Sequence, residues 1–276
     1  MNHSKAIFVI KSDGTRTPFD YRKVRRTCMR AGASRRTAHA IANRISKQIR
    51  PDIRTSEIYK MVLKALSLEE DGQVVRHRYR LKESIMLMGP AGFHFEDYVS
   101  RILENTGYKV ESLRVKVDGR CVRHEVDISA RSIGNTKRYM IECKYHNMAG
   151  IFTGIKESLY THARFLDLSL HFEAEMLVTN TKVSRDVVAY AACIGQEVLS
   201  WRFPPERSLE KIIETHGLYP LTILPLSESE TAALFQIGVE LAKDLLFKDP
   251  RQVSRDTGIA DGRIRNLQDL TRKIIS

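Results

Sequence analysis

Between residues 113 and 145 the chain carries three short runs in which apolar and polar side chains alternate, and this period of two confines the stretch to β-structure. In the first run Leu113, Val115 and Val117 alternate with Arg114 and Lys116, and Asp118-Gly119 then supplies a strong hairpin turn. The return strand, Cys121 to Ala130, sends Val122, His124, Val126 and Ile128 one way and Arg123, Glu125, Asp127 and Ser129 the other. After a Gly134-Asn135 turn, a third strand from Arg138 to Tyr145 sets Ile141 and Cys143 against Met140, Glu142 and Lys144. Residues two apart on a strand share a face and lie roughly 7 Å from each other, so Glu142 and Lys144 are neighbours. Antiparallel pairing brings Asp127 beside them. Two carboxylates and an ammonium on one sheet face make a poor core and a good reaction site.

The flanking segments fill out an α/β reading. Phe93 to Tyr108 has a helical stripe of Phe95, Val99 and Ile102 with Glu96 beside it. After the third strand come a helix over about 153–168 carrying Lys156 and Tyr160, a strand Glu175 to Thr179, a helix capped by Ser184 and a strand Gln196 to Trp201. The order is αβββαβαβ with a mixed sheet. Gly89-Pro90-Ala91-Gly92 breaks the chain before this core, and Pro204-Pro205 opens an irregular stretch to about Leu226 after it. Three segments follow, 1–89, 92–203 and 220–276, so the fold class is multi-domain α/β. The first segment is mostly helical. It has a strand Ala6 to Ile10, a helix capped by Asp20, one capped by Ser34, one capped by Thr55 or Ser56, and a last helix from about Gln73 to Met88.

Charge divides the chain in the same way. The formal net charge is +12, and residues 1–90 hold 20 of the 45 basic and 8 of the 33 acidic side chains, so the remainder is balanced. A basic first segment fits a polyanionic partner, either nucleotide phosphates or a nucleic acid backbone. No apolar run approaches the roughly 18 residues that cross a bilayer. The opening residues read as no signal peptide, because Lys11 and Asp13 interrupt the apolar run. The four cysteines contain no CxxC pair, which argues against a disulfide framework or a structural zinc site and fits a reducing cytoplasm. Cys143 and His124 both fall on the inward register and read as packing residues.

The residue types at the sheet face suit phosphodiester cleavage. Hard divalent cations need carboxylate oxygens, offered by Asp127 and Glu142. A fixed ammonium such as Lys144 can orient water or stabilise transition-state charge, and Glu96 can add a ligand or position Lys144. Gly92-x-x-Phe95-Glu96, His124-Glu125-Val126-Asp127-Ile128 and Ile141-Glu142-Cys143-Lys144-Tyr145 together resemble the PD-(D/E)xK restriction-endonuclease fold, in its Mrr-like and archaeal Holliday-junction-resolvase branch. Val126 stands where that family often has Pro. The resemblance implies a Mg²⁺ (or Mn²⁺) cofactor held by Asp127 and Glu142, catalytic roles for Glu96, Asp127, Glu142 and Lys144, and DNA as substrate, with RNA left open.

Val9-x-Lys11-x-Asp13-Gly14, Phe19-Asp20, Lys23-Val24 and Arg54-Thr55-Ser56-Glu57-Ile58 resemble the ATP-cone domain over about 85 residues. Lys11 leaves a strand before a tight turn and Lys23 lies in a helix's first turn, where backbone donors already favour phosphate. The resemblance implies ATP or dATP as an effector contacted by Lys11, Ser12, Asp20 and Lys23; the family often has Arg where this chain has Ser12. Ile237-Gly238-Val239 and Thr257-Gly258-Ile259, each between helices, resemble the helix-hairpin-helix motif, which implies DNA phosphate contacts at Gly238 and Gly258. The sequence therefore leads us to expect a cytoplasmic, nucleotide-regulated DNA endonuclease, with a homodimer expected because one site cuts one strand at a time. The alternative is an ATP-sensing DNA-binding regulator that uses the nuclease fold only for docking.

Overall fold

The structure, a computed structural model, describes residues 7–70, 72–89 and 92–276. It divides into two compact units, one running to Glu83 and the other spanning Ser84–Ile275. No helix among the described residues is long and apolar enough to cross a membrane. Ala6, Pro90 and Ala91, part of the expected first strand and of the expected break, lie outside the described residues.

The first unit contains β1 (Phe8–Ile10), β2 (Arg16–Pro18), α1 (Tyr21–Arg30), α2 (Arg35–Ser46), β3 (Ile53–Arg54), α3 (Thr55–Leu66) and α4 (Gly72–Tyr79). β1 lies between antiparallel β2 and parallel β3. Asp20 caps α1 by accepting from the Arg22 amide at 2.8 Å, and Ser34 caps α2 by accepting from Thr37 at 3.0 Å, as their side chains predict. Apolar side chains at helical spacing, including Val24, Cys28, Ile41, Ile45, Val62 and Leu66, form the core. The third helix starts one residue earlier than expected: Arg54 is its cap, and Glu57 reaches back to the Arg54 amide at 3.4 Å.

The single helix expected from Gln73 to Met88 is two, α4 and α5 (Leu81–Met86). The carbonyls that close α5 belong to the second unit. Thr222 donates its hydroxyl to Ser84 at 2.6 Å and Tyr145 donates to Met86 at 2.7 Å. The boundary between units thus lies before Ser84 and not at the glycine-proline break, because those hydrogen bonds commit α5's end to the second core.

The second unit continues with α6 (Phe93–Glu104), β4 (Tyr108–Asp118), β5 (Arg123–Ser132), β6 (Arg138–Lys144), β7 (Phe152–Thr153), α7 (Ile155–Asp167), β8 (Ala174–Thr179), β9 (Lys182–Val183), α8 (Arg185–Ile194) and β10 (Glu197–Leu199). The expected succession of elements is present, with short β7 and β9 added as a separate parallel pair. The main sheet runs β10-β8-β6-β5-β4, antiparallel from β4 to β6 and parallel from β6 to β10. α6 packs on β4, β5 and β6, while α7 and α8 pack on β6, β8 and β10. Met140 is as buried as Ile141. Both faces of β6 are therefore covered at this point, which is the pattern of a sheet enclosed on both faces.

The stretch after Pro204 is not irregular. It holds α9 (Leu209–His216), capped by Ser208, with Leu209, Ile212 and Ile213 buried. α10 (Glu228–Gln236), α11 (Pro250–Thr257) and α12 (Asp261–Ile275) complete the chain, and the expected helix after Gly238 is a short 3-10 turn, Ala242–Phe247. Residues 220–275 are not a separate domain but part of the unit that holds the sheet. One tie is the fully buried Tyr98, whose hydroxyl donates to the Leu218 carbonyl at 2.7 Å. Replacing Tyr98 by Phe leaves that carbonyl without its partner, and we expect a loss of about 1–3 kcal/mol in urea-denaturation stability with the sheet intact. An unchanged midpoint would show that this link contributes nothing.

Candidate active site

The β5–β6 pairing runs from Arg131↔Arg138 to Ile128↔Ile141 and then stops. The next ladder donor, the Cys143 amide, is met by the Asp127 carboxylate at 2.7 Å. That bond fixes Asp127 at the point where the strands part, beside Glu142 one residue back on β6. Desolvation raises both carboxyls above their usual range, and for Glu142 the charge of Asp127 adds to the effect. α6 brings a third carboxyl: Glu96 is pushed up to about 7, first by burial and then by Asp127, against the opposing pull of Arg114.

Two arginines that sequence reasoning passed over hold this acidic group. Arg164 of α7 is buried, and its guanidinium pairs closely with Glu142. The sequence places Lys144 on the same face as Glu142, as its neighbour. Lys144 is exposed at the end of β6, with no hydrogen bond or ion pair among the described residues, and its charge acts on both Asp127 and Glu142. Arg114 spans two carboxylates of α6, donating to Glu96 Oε2 at 3.1 Å and Asp97 Oδ1 at 2.9 Å. Its backbone has φ of 51°, a strained left-handed value for a non-glycine residue. The alternation places Arg114 on the strand face opposite Leu113, Val115 and Val117, and no local pattern marks its partners on α6. The structure thus brings Glu96, Asp127, Glu142 and Lys144 together and adds Arg114 and Arg164. Tyr160 is exposed, and the Arg164 guanidinium lies 5.3 Å from its ring centre.

Asp127 and Glu142 each keep an oxygen not used by Cys143 or Arg164, which suits a cation that takes one or two carboxylates and fills its other positions with water and phosphate. The fit is to such a cation and not to an all-protein cage, because the tightest group of metal-ligating atoms among the described residues is elsewhere, at His94, Asp97 and Glu240.

His124 and Cys143, read as packing residues, are both only partly buried, and His124 has a polar partner. His124 contacts Asp167 at 2.8 Å, and Asp167 also accepts from the Cys121 and Val122 amides, closing the β4–β5 hairpin. The Cys143 thiol is held well above its usual range by burial.

In the first unit, Lys11 and Ser12 are exposed on the turn between β1 and β2, and Lys23 is exposed in the first turn of α1. Asp20 already spends a carboxylate oxygen on its capping bond. A cavity of about 600 Å³, lined by Gly32, Ser34, Arg36, Thr37 and Glu69 among others, includes none of these four residues. In the second unit, Gly238 and Gly258 have left-handed φ of 72° and 73° at helix ends. Their amides already donate to Phe235 and Ser254 at 2.9 Å, so the phosphate contact expected of them has no free donor there.

A protein of Archaeoglobus fulgidus described as uncharacterized is 35% identical over 178 residues, 64% of this chain and 99% of that protein. The chain belongs to that protein's family. More than half of that match must fall beyond the N-terminal unit, since 178 residues exceed twice the 78 positions between 7 and 84. The crystal structure of a protein of unknown function has 34% identity and a TM-score of 0.58, covering 66% of this chain and 97% of its own. Residues 7–84 match the ATP cone domain, and the resemblance read from Val9 to Ile58 is thereby borne out for the first unit.

The raised carboxyls make stability depend on pH in a definite direction. A carboxyl whose folded pKa lies above its unfolded value favours folding while protonated, and that contribution is lost as pH rises. For Glu96 the window runs from its ordinary 4.5 to about 7. Metal-free protein should melt at lower temperature at pH 8 than at pH 5.5, and Glu96→Gln should flatten that decline; an unaltered slope in the variant would remove Glu96 from the buried acidic group.

Proposed function

We propose that the chain is a metal-dependent DNA endonuclease set by an adenine nucleotide on its ATP cone. The observation that carries this reading is the crowding of Glu96, Asp127 and Glu142 where β5 and β6 part, with the exposed Lys144 two residues beyond Glu142. The arrangement, on a five-stranded mixed sheet flanked by α6, α7 and α8, resembles the PD-(D/E)xK restriction-endonuclease fold and its Holliday-junction-resolvase branch. Acidic groups held against their solvation preference in this way are characteristic of functional sites.

Asp127 and Glu142 would hold Mg²⁺ or Mn²⁺, which when bound supplies an activated water and neutralises charge at the scissile phosphate. Asp127 is oriented by the Cys143 amide, and Glu142 by Arg164. Glu96, with its proton affinity near neutrality and its carboxylate anchored by Arg114, can accept a proton from water. Lys144 brings a fixed positive charge to the phosphate oxygens. The excess of positive charge within residues 1–90 favours approach of a polyanion. Lys11, Ser12, Asp20 and Lys23 are the proposed nucleotide contacts, and ATP or dATP the proposed effector. Two copies of the chain, each cutting one strand, would serve a duplex.

The Arg164–Glu142 pair favours a second reading, in which the carboxylate is neutralised for good and the protein is a nucleotide-sensing DNA-binding regulator. Incubation with supercoiled, linear and four-way-junction DNA in Mg²⁺, with and without ATP, separates the two. Nuclease function predicts cleavage that changes with ATP, disappears in Glu142→Ala and falls about 100- to 1,000-fold in Lys144→Ala. DNA retained but never cut would select the regulator. Lys23→Ala should keep basal cleavage and lose its response to ATP; a full response would move the nucleotide elsewhere.

A further inference from the structure

Three side chains that the proposed cleavage does not use converge within the second unit. His94 and Asp97 come from the first two turns of α6, and Glu240 from the segment after α10. One ligand atom from each, an imidazole nitrogen and two carboxylate oxygens, all lie within 4.8 Å of one another. Glu240 is only 7% exposed, and its Oε2 is buried with no hydrogen-bond partner. His94 Nδ1 is likewise buried and unpartnered, 3.6 Å from Glu240 Oε1, too far for a hydrogen bond. Unpaired buried polar atoms are costly to a folded protein, and here two of them belong to one cluster.

The spacing suits an ion between them. A tetrahedral site with bonds of about 2.0–2.1 Å has ligand atoms roughly 3.4 Å apart, close to the His94–Glu240 separation. The imidazole is already oriented, stacked on Phe235 with ring centres 3.9 Å apart and planes at 16°. Arg114 donates to Asp97 Oδ1, an outer contact that fixes the carboxylate as partners of metal ligands do. Burial favours the neutral, ligating form of His94, and burial together with Asp97 and Asp244 pushes Glu240 up to about 8. A cation beside them would relieve the Glu240 shift and would favour the same neutral imidazole.

We propose that His94, Asp97 and Glu240 bind a divalent transition-metal ion, of the zinc class, which staples α6 to the segment after α10. One imidazole with two carboxylates is a zinc-type donor set, whereas Mg²⁺ prefers oxygen alone. The site is distinct from the carboxylates of β5 and β6. The two are linked through Arg114, which holds Glu96 with one nitrogen and Asp97 with the other. An ion at His94 therefore also braces the helix that carries Glu96.

The test uses the full chain carrying Asp127→Asn and Glu142→Gln, so that the other carboxylates cannot contribute, stripped with a chelator and titrated calorimetrically with ZnCl₂ and with MgCl₂. The proposal predicts one Zn²⁺ per chain, a higher melting temperature with Zn²⁺ than without, and no comparable heat from Mg²⁺. Adding His94→Ala or Glu240→Gln should weaken Zn²⁺ at least tenfold and abolish the thermal shift. The metal-free melting temperature of Glu240→Gln should be equal or higher, since a buried carboxyl is removed, which shows that the loss is not misfolding. Zn²⁺ binding that survives both changes, or none in the parent chain, overturns the proposal.

Discussion

Past Ile128 and Ile141 the β5–β6 ladder has no further rung, and the amide of Cys143 turns to the side chain of Asp127. A backbone donor inside a sheet must be satisfied, and here a carboxylate satisfies it. A charged group is thereby fixed at the centre of the sheet while its partner strand is free to diverge. The remaining features of the site follow from that placement. Glu142, next along β6, is forced close to a like charge in a poorly solvated position, and both carboxyls resist ionisation. Such a pair is tolerable only with compensating positive charge, supplied by Arg164 from α7 and Lys144 from the strand end.

The same demand explains Arg114. Glu96 must enter this acidic group from α6, and an arginine with an unfavourable backbone angle holds it there while also gripping Asp97. A local backbone rule is broken at Arg114, where the site is built. The caps of α1, α2 and α8, the αL glycine ends of α8 and α9 and the hairpin clamp at Asp167 all follow ordinary chemistry. The chain after the sheet adds its share, since Leu218 just past α9 accepts from Tyr98 and Glu240 past α10 lies beside His94, and both tie α6 to it.

Much of this was legible in the sequence because it is local. Alternation gave the three antiparallel strands, and the Asp20, Ser34 and Ser184 side chains marked helix starts that the structure repeats. The shared face of Glu142 and Lys144, with Asp127 across the strand pair, follows from period and pairing alone. Arg114, Arg164 and the His94–Glu240 approach were not legible, because their partners lie 18, 22 and well over 100 residues away. α9 was missed behind Pro204-Pro205, where Ser208 and the apolar spacing of Leu209, Ile212 and Ile213 were the available signal. The end of the first unit was misplaced because glycine and proline mark turns, whereas the hydroxyls of Thr222 and Tyr145 decide which core receives α5.

The central claim is that Asp127 and Glu142 form one cation-requiring site for a nucleic acid phosphate. Ca²⁺ shares the oxygen preference of Mg²⁺, so fluorescence anisotropy with labelled DNA in Ca²⁺ reads that site without depending on a cut. The account predicts that Ca²⁺ tightens DNA binding by the parent chain and does nothing for Asp127→Asn, whose affinity stays at the cation-free level. DNA affinity indifferent to Ca²⁺ in the parent, or raised equally by Ca²⁺ in both proteins, would contradict it.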